Sequence, residues 1–196
     1  MPLPRQALGP AAAALSLLGD SGVDSNADAA RHAGPGVTAA DLARDGRLTG
    51  YTLDYAAAAS SPLGAQPLLE VQTIAELYRN ESSTRRGLAF WDAVTRGLTA
   101  SKVNGVSVAL APFDARVGDG RFAFELTYTR ARKPLYYVGD VVFRSGDLLG
   151  AVFVTTTDER SVRTQTVDLA QKLATRIRQV LAGKIRGPRA ALPVKR

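Results

Sequence analysis

The longest regular pattern of apolar positions lies near the C-terminal end. Val162, Thr166, Leu169, Leu173, Ile177, Val180 and Leu181 recur at helical spacing across residues 160–182, with Lys172, Arg176 and Gln179 on the opposite side. This predicts an amphipathic helix, capped by Asp158 or Ser161 and stopped at Gly183. A second helical stripe is Leu88, Trp91, Val94 or Thr95, and Leu98, with Ser82 or Ser83 as the cap and Gly87 as a weak point inside it. Elsewhere the period is two. Tyr51, Leu53 and Tyr55 share one face of a strand that turns its apolar side to the core. Leu69, Val71, Thr73, Ala75 and Leu77 form a core face, and Glu70, Gln72, Ile74, Glu76 and Tyr78 a mixed one. Val106, Val108 and Leu110 alternate in a third strand, and Phe122, Phe124, Leu126 and Tyr128 in a fourth. The runs PLYYVGDVVF and LLGAVFVTTT are apolar on both faces and predict central strands covered on both sides, joined by a tight turn at RSGD, residues 144–147.

Before residue 47 the pattern is broken by Gly, Pro and Asp. It predicts three short helices over 10–18, 25–33 and 39–45, with a break at GPG, residues 34–36. Thr38 suits the cap of the third and Gly46 its stop. Residues 56–67 predict a long hairpin loop. The reading is therefore an α+β fold. An antiparallel sheet of about six strands, in the order β-β-α-β-β-β-β-α, packs with two amphipathic helices. Residues 1–46 form a helical segment packing on a domain at 47–183, and 184–196 a disordered basic tail.

Composition changes this picture little. The chain of 196 residues is 45% hydrophobic, enough for one domain with a core. The net charge of +7 raises nucleic acid as a partner. Lys184, Arg186, Arg189, Lys195 and Arg196 carry five of those charges with no acid beside them, which leaves +2 for the rest. The basicity is that of a tail, and no nucleic-acid partner is expected. The absence of cysteine excludes disulfides, thiolate metal sites and Cys nucleophiles. The opening MPLPRQALGPAAAALSLLGD has one Arg and an Ala/Leu stretch, as signal peptides do, but Pro10 interrupts it and a short helix is the better reading.

Candidate chemistry is sparse. His32, the one histidine, cannot make a multi-His zinc site and reads as a helix-end residue. Glu70, Gln72 and Glu76 share a strand face that Glu125 could join, a carboxylate set for a hydrolase-type alternative. The structural reading of that face is a solvated one. Asp54, Asp140 and Asp147 have turn or strand-end explanations, and Arg44, Asp45 and Arg47 suit a solvated junction. YTRARKPLYY, residues 128–137, mixes cations with aromatics in the manner of single-strand binders, but Pro134 and the charges suit a hairpin turn. NES at 80–82 matches a glycosylation sequon. Gly50 in mid-strand marks a bulge or a close approach.

GRLTGYTLDY, then a loop and LLEVQTIAELYRNESSTRRGLAFWDAV, resembles uncharacterised exported bacterial α+β domains with a GR-[IVL]-TGY strand. The order of elements from about 47 to 182 is similar to the PsbP/Mog1/LpqN-like fold. The resemblance implies no catalytic residues and no cofactor. It implies an extracytoplasmic or cell-envelope location, with cytoplasmic as the alternative. The expected role is non-enzymatic: binding of a protein or a small apolar ligand in a helix–sheet cleft. Tyr51, Tyr78, Trp91 and Tyr136 are the cleft candidates, with Ile74, Val138 and Val142 as further apolar positions on that side of the sheet. A monomer or dimer is expected, with peripheral envelope association.

Overall fold

Helix α4 (Glu159–Leu181) and helix α3 (Glu81–Gly97) lie on opposite faces of one antiparallel sheet. These are the coordinates of a computed structural model, which describes residues 1–33, 36–58, 66–100 and 105–184. Gly34 and Pro35 of the GPG break, most of the 56–67 loop and nearly all of the basic tail lie outside the described residues. The sheet strands are β1 (Ser16–Leu17), β2 (Gly22–Asp24), β3 (Arg47–Ala56), β4 (Leu68–Tyr78), β5 (Val106–Pro112), β6 (Gly120–Arg130), β7 (Lys133–Ser145) and β8 (Leu148–Thr156). Their spatial order is β1-β3-β4-β8-β7-β6-β5, and β2 also pairs with β3. The connectivity explains that order. Helix α3 carries the chain from β4 to the far edge, and β5 to β8 return as a meander until β8 pairs with β4. The expected β-β-α-β-β-β-β-α is present as β3 to α4, and β7 and β8 are central.

The segment before β3 departs from its expected helices. Residues 10–18 give a single 3-10 turn at Pro10–Ala12 and then β1. With β2 they extend the sheet to eight strands, because their backbone groups find partners on the free edge of β3, at Tyr55 and Ala56 and at Gly50 to Thr52. The other two helices are present as α1 (Asn26–Ala33) and α2 (Ala39–Arg44). Thr38 caps α2 in a reciprocal box: its side chain accepts from the Asp41 N–H, and Asp41 accepts from the Thr38 N–H. Gly46 follows with φ of +95°, the left-handed conformation a helix stop uses.

The α4 face holds the larger core. Leu169, Leu173 and Ile177 bury themselves in one cluster with Val71, Val141, Val152 and Val154, each worth about 1.5–3 kcal/mol on full burial. Leu3, Leu8, Ala12 and Leu15 fill the same layer, and Leu3 N–H donates to Thr73 Oγ1. Asp158 caps α4, accepting from the Arg160 N–H. Tyr55 is buried and Leu53 half-buried on this side, as their spacing predicted.

The α3 face holds Phe122, Phe124, Leu126 and Val142, with Leu88, Trp91, Val108 and Leu110 against them. The cap of α3 is Asn80, not Ser82 or Ser83: its side chain accepts from the Ser83 N–H at 2.9 Å. The sequon asparagine is thereby occupied by the helix it starts. Gly87 is required by packing. A Cβ there would sit 2.4 Å from Cζ of the Tyr78 ring. The 128–137 stretch is the expected hairpin turn, with Ala131 and Arg132 at φ of +48° and +65° and Tyr128 stacked on Tyr136.

Candidate functional site

Between α3, α1 and the sheet lies a cavity of about 360 Å³. Its floor is Ile74 of β4, Val142 of β7, and Leu149, Ala151 and Phe153 of β8. Its roof is Trp91, Val94, Thr95 and Leu98, and α1 closes one side with Ala29 and His32. Four polar side chains of the strands reach its wall: Asp24, Thr52, Gln72 and Glu76.

One end of the cavity is built from a buried ion network centred on Arg47, which is 1% exposed. Its Nε donates to Glu76 Oε1 at 2.7 Å and its Nη2 to Asp24 Oδ2 at 2.7 Å. Its Nη1 donates to Asn26 Oδ1 at 2.8 Å and to the Asp24 carbonyl at 3.3 Å. Tyr78 Oη and Trp91 Nε1 both donate to Glu76 Oε2 at 3.0 Å. This network ties β2, α1, β3, β4 and α3 together and fixes the Trp91 indole in the cavity wall. Burial pushes the Asp24 carboxyl up, and Arg47 opposes that shift. Burial, with the Glu76 carboxylate beside it, pushes the Tyr78 phenol up, so it remains a donor.

Arg47 overturns the reading of its junction as solvated, since partners more than 20 positions away in each direction enclose it. It also answers the question of Gly50. A Cβ at Gly50 would lie 2.5 Å from Arg47 Nη2 and 3.3 Å from Asp24 Oδ2, so the close approach is that of a guanidinium.

Two further acids are buried on the α3 side. Asp140 is 1% exposed; Thr95 donates to its Oδ2 at 3.0 Å, and Oδ1 has no partner among the described residues. Burial pushes it up to about 7, with the Thr95 hydrogen bond opposing. Asp54 accepts from Gln72 Nε2 at 3.0 Å and sits beside Glu70; burial and then the Glu70 charge push it up to about 7. Strand-end explanations do not describe either residue.

Of the four predicted cleft residues, only Trp91 lines the cavity. Ile74 and Val142, expected on the same side of the sheet, line it too. Tyr78 is 2% exposed and its hydroxyl orients Glu76 from behind the wall. Tyr136 is on the correct face but stacks on Tyr128, with ring centroids 4.6 Å apart. Tyr51 shares the α4 face with Leu53 and Tyr55. The carboxylate set does not converge either. Glu125 lies on the α4 face, bound by Arg163 Nε at 2.6 Å, while Glu76 lies on the α3 face. The sequence reading missed Asp24, Arg47, Leu149 and Phe153. Arg47 had one signal: a charge inside the GR-LTGY strand, two glycines flanking it.

No protein-family model and no curated protein matches the chain. The fold is similar to that of the extracellular domain of PknH from Mycobacterium tuberculosis. The TM-score is 0.53 at 9% sequence identity, over 90% of this chain and 98% of that one. At such identity the two share a backbone path, and side-chain chemistry does not carry over.

Proposed function

We propose that this is a non-enzymatic, extracytoplasmic binding domain that takes a small, largely apolar molecule between α3 and the sheet. The observation that carries the reading is the cavity itself. About 360 Å³ with an apolar floor, an aromatic wall and a few placed polar groups is the usual constitution of a small-molecule site. Binding rather than catalysis is favoured because both Glu76 oxygens are held by Arg47, Tyr78 and Trp91, which leaves that carboxylate no freedom to move protons. The extracytoplasmic location is supported by the likeness to a domain described as extracellular.

Ala151 is the point of test, since it lies on the cavity floor opposite Ile74 and Val142. Ala151→Phe should fill the space. A hydrophobic fluorescent probe such as N-phenyl-1-naphthylamine should bind the natural protein and lose most of its emission with the variant. Equal emission from both proteins would place the probe elsewhere and remove the support for this reading. An alkaline phosphatase fusion to the native gene product should be active if the domain is exported. An inactive fusion beside an active cytoplasmic reporter would refute the location.

A further inference from the structure

Asp24 stands out in the cavity wall because it is buried, ionisable and only half satisfied. We infer that the ligand of the cavity carries a cationic, ammonium-type head that docks on Asp24, with its apolar body on the Ile74, Ala151 and Phe153 floor. This rests on the binding reading above and names the chemical class it would take.

Arg47 is one cation between two carboxylates, Asp24 and Glu76, so the cluster carries a net charge of minus one. Glu76 has donors on both oxygens. Asp24 has Arg47 on Oδ2, and among the described residues no donor reaches its Oδ1. Asp24 is 8% exposed and lines the cavity. The Asp24 side chain keeps 10% of its surface, and a cation brought to a carboxylate set in such a wall meets less solvent screening than one on the protein surface. Among the described lining residues there is no Lys or Arg, and His32 is the one basic side chain in the wall, set against Asp24 and Glu76. Asp28 of α1, a further acid that acts on Asp24, is held by Arg31, and His32 lines the same cavity. Trp91 adds to the same preference, since its ring forms part of the wall and aromatic faces attract cations. Burial raises the Asp24 carboxyl, Arg47 opposes that rise, and the Glu76 charge adds to it.

Three probes of nearly one shape separate the head from the body: 2-phenylethylammonium, 2-phenylethanol and 3-phenylpropanoate. Their affinities would be measured by calorimetry and by amide shifts for the natural protein, Asp24→Asn and Ala151→Phe, at mildly alkaline pH. The expected order is ammonium, alcohol, carboxylate. The ammonium should lead the alcohol by about tenfold or more, the scale of one charge-assisted hydrogen bond. Asp24→Asn should bring ammonium and alcohol to near equality while the alcohol still binds. An alcohol that binds the natural protein as tightly as the ammonium overturns the assignment, as does a preference that survives in Asp24→Asn. Should that variant fail to fold, the order of the three probes on the natural protein decides alone. If none of the three binds, or if Ala151→Phe leaves binding intact, it is the cavity reading that fails and not the choice of head group.

Discussion

Replacing Arg47 by Met keeps most of the side-chain volume and deletes the cation. What remains is Asp24 of β2 and Glu76 of β4, on either side of β3, both buried and both without their counter-charge. Asn26 Oδ1 and the Asp24 carbonyl also lose their donor. Breaking a buried ion pair by removing one partner costs about 3–5 kcal/mol, because the orphaned charge is more expensive than the pair was valuable. A domain of this size shifts its melting temperature by roughly 2–4 °C per kcal/mol, which gives a fall of roughly 6–20 °C. The pH dependence is diagnostic. Asp24 is already held above its ordinary value by burial with Arg47 present, so without Arg47 it should take up a proton more readily. A group whose folded pKa is raised adds stability at low pH and loses it as pH rises. The deficit of Arg47→Met should therefore be smaller at about pH 5 than at about pH 8. Thermal melts at both values, with Asp24→Asn/Arg47→Met as the second corner, would show it. The double variant should recover part of the loss. A melting temperature within about 2 °C of the natural protein, or a deficit that does not change with pH, would refute the claim that Arg47 is needed to neutralise buried acids.

Gly87→Ala tests packing against propensity. Alanine is the better helix former by about 1 kcal/mol, yet its Cβ would meet the Tyr78 ring at 2.4 Å, so the variant should be less stable by about 1–3 kcal/mol in denaturant titration. A gain in stability would show that the ring moves freely. Asp140→Asn should stabilise the protein at about pH 8 and leave it nearly unchanged at about pH 4, because Asp140 titrates near 7 when folded and its favourable neutral form is lost as pH rises through that value. The natural protein's loss across that window is on the order of 4 kcal/mol from this group, and equal melting curves at both pH values would contradict it. Asn80→Ala should cost about 1 kcal/mol, as loss of a helix cap does, while Ser82→Ala should be near neutral. The reverse order would reinstate the serine as the cap.

Sequence alone carried the elements whose evidence is periodic. The stripe of α4, the alternation of Phe122, Phe124 and Leu126, and the two-sided apolar runs of β7 and β8 each repeat often enough to signal one face or two. The α+β class and the existence of a helix–sheet cleft followed from them. β1 and β2 were illegible because two or three residues have no period, and what makes them strands is the hydrogen-bonding edge of β3. The cleft residues were only partly legible. Periodicity assigns a residue to a face: alternation put Ile74, and the helical stripe Trp91, on the side where the cavity lies, and Val142 lies there too. It does not say where along the face a helix stands off the sheet, which is why Tyr78 and Tyr136 fell outside the cavity. Nor does it say which face of β3 matches which face of β4, which is why Tyr51 was set on the wrong side.

Arg47 marks the boundary between the two kinds of knowledge. The sequence determined that a charge would stand at the start of β3, between Gly46 and Gly50, and that a glycine there signals close approach. Only the tertiary structure decided that the charge is buried. An arginine is stable inside a protein only when its acceptors come to it, and Asp24, Asn26 and Glu76 arrive from three other elements. The same long-range convergence leaves Asp24 half satisfied in the wall of the cavity, a property of the assembled fold that no local pattern contains.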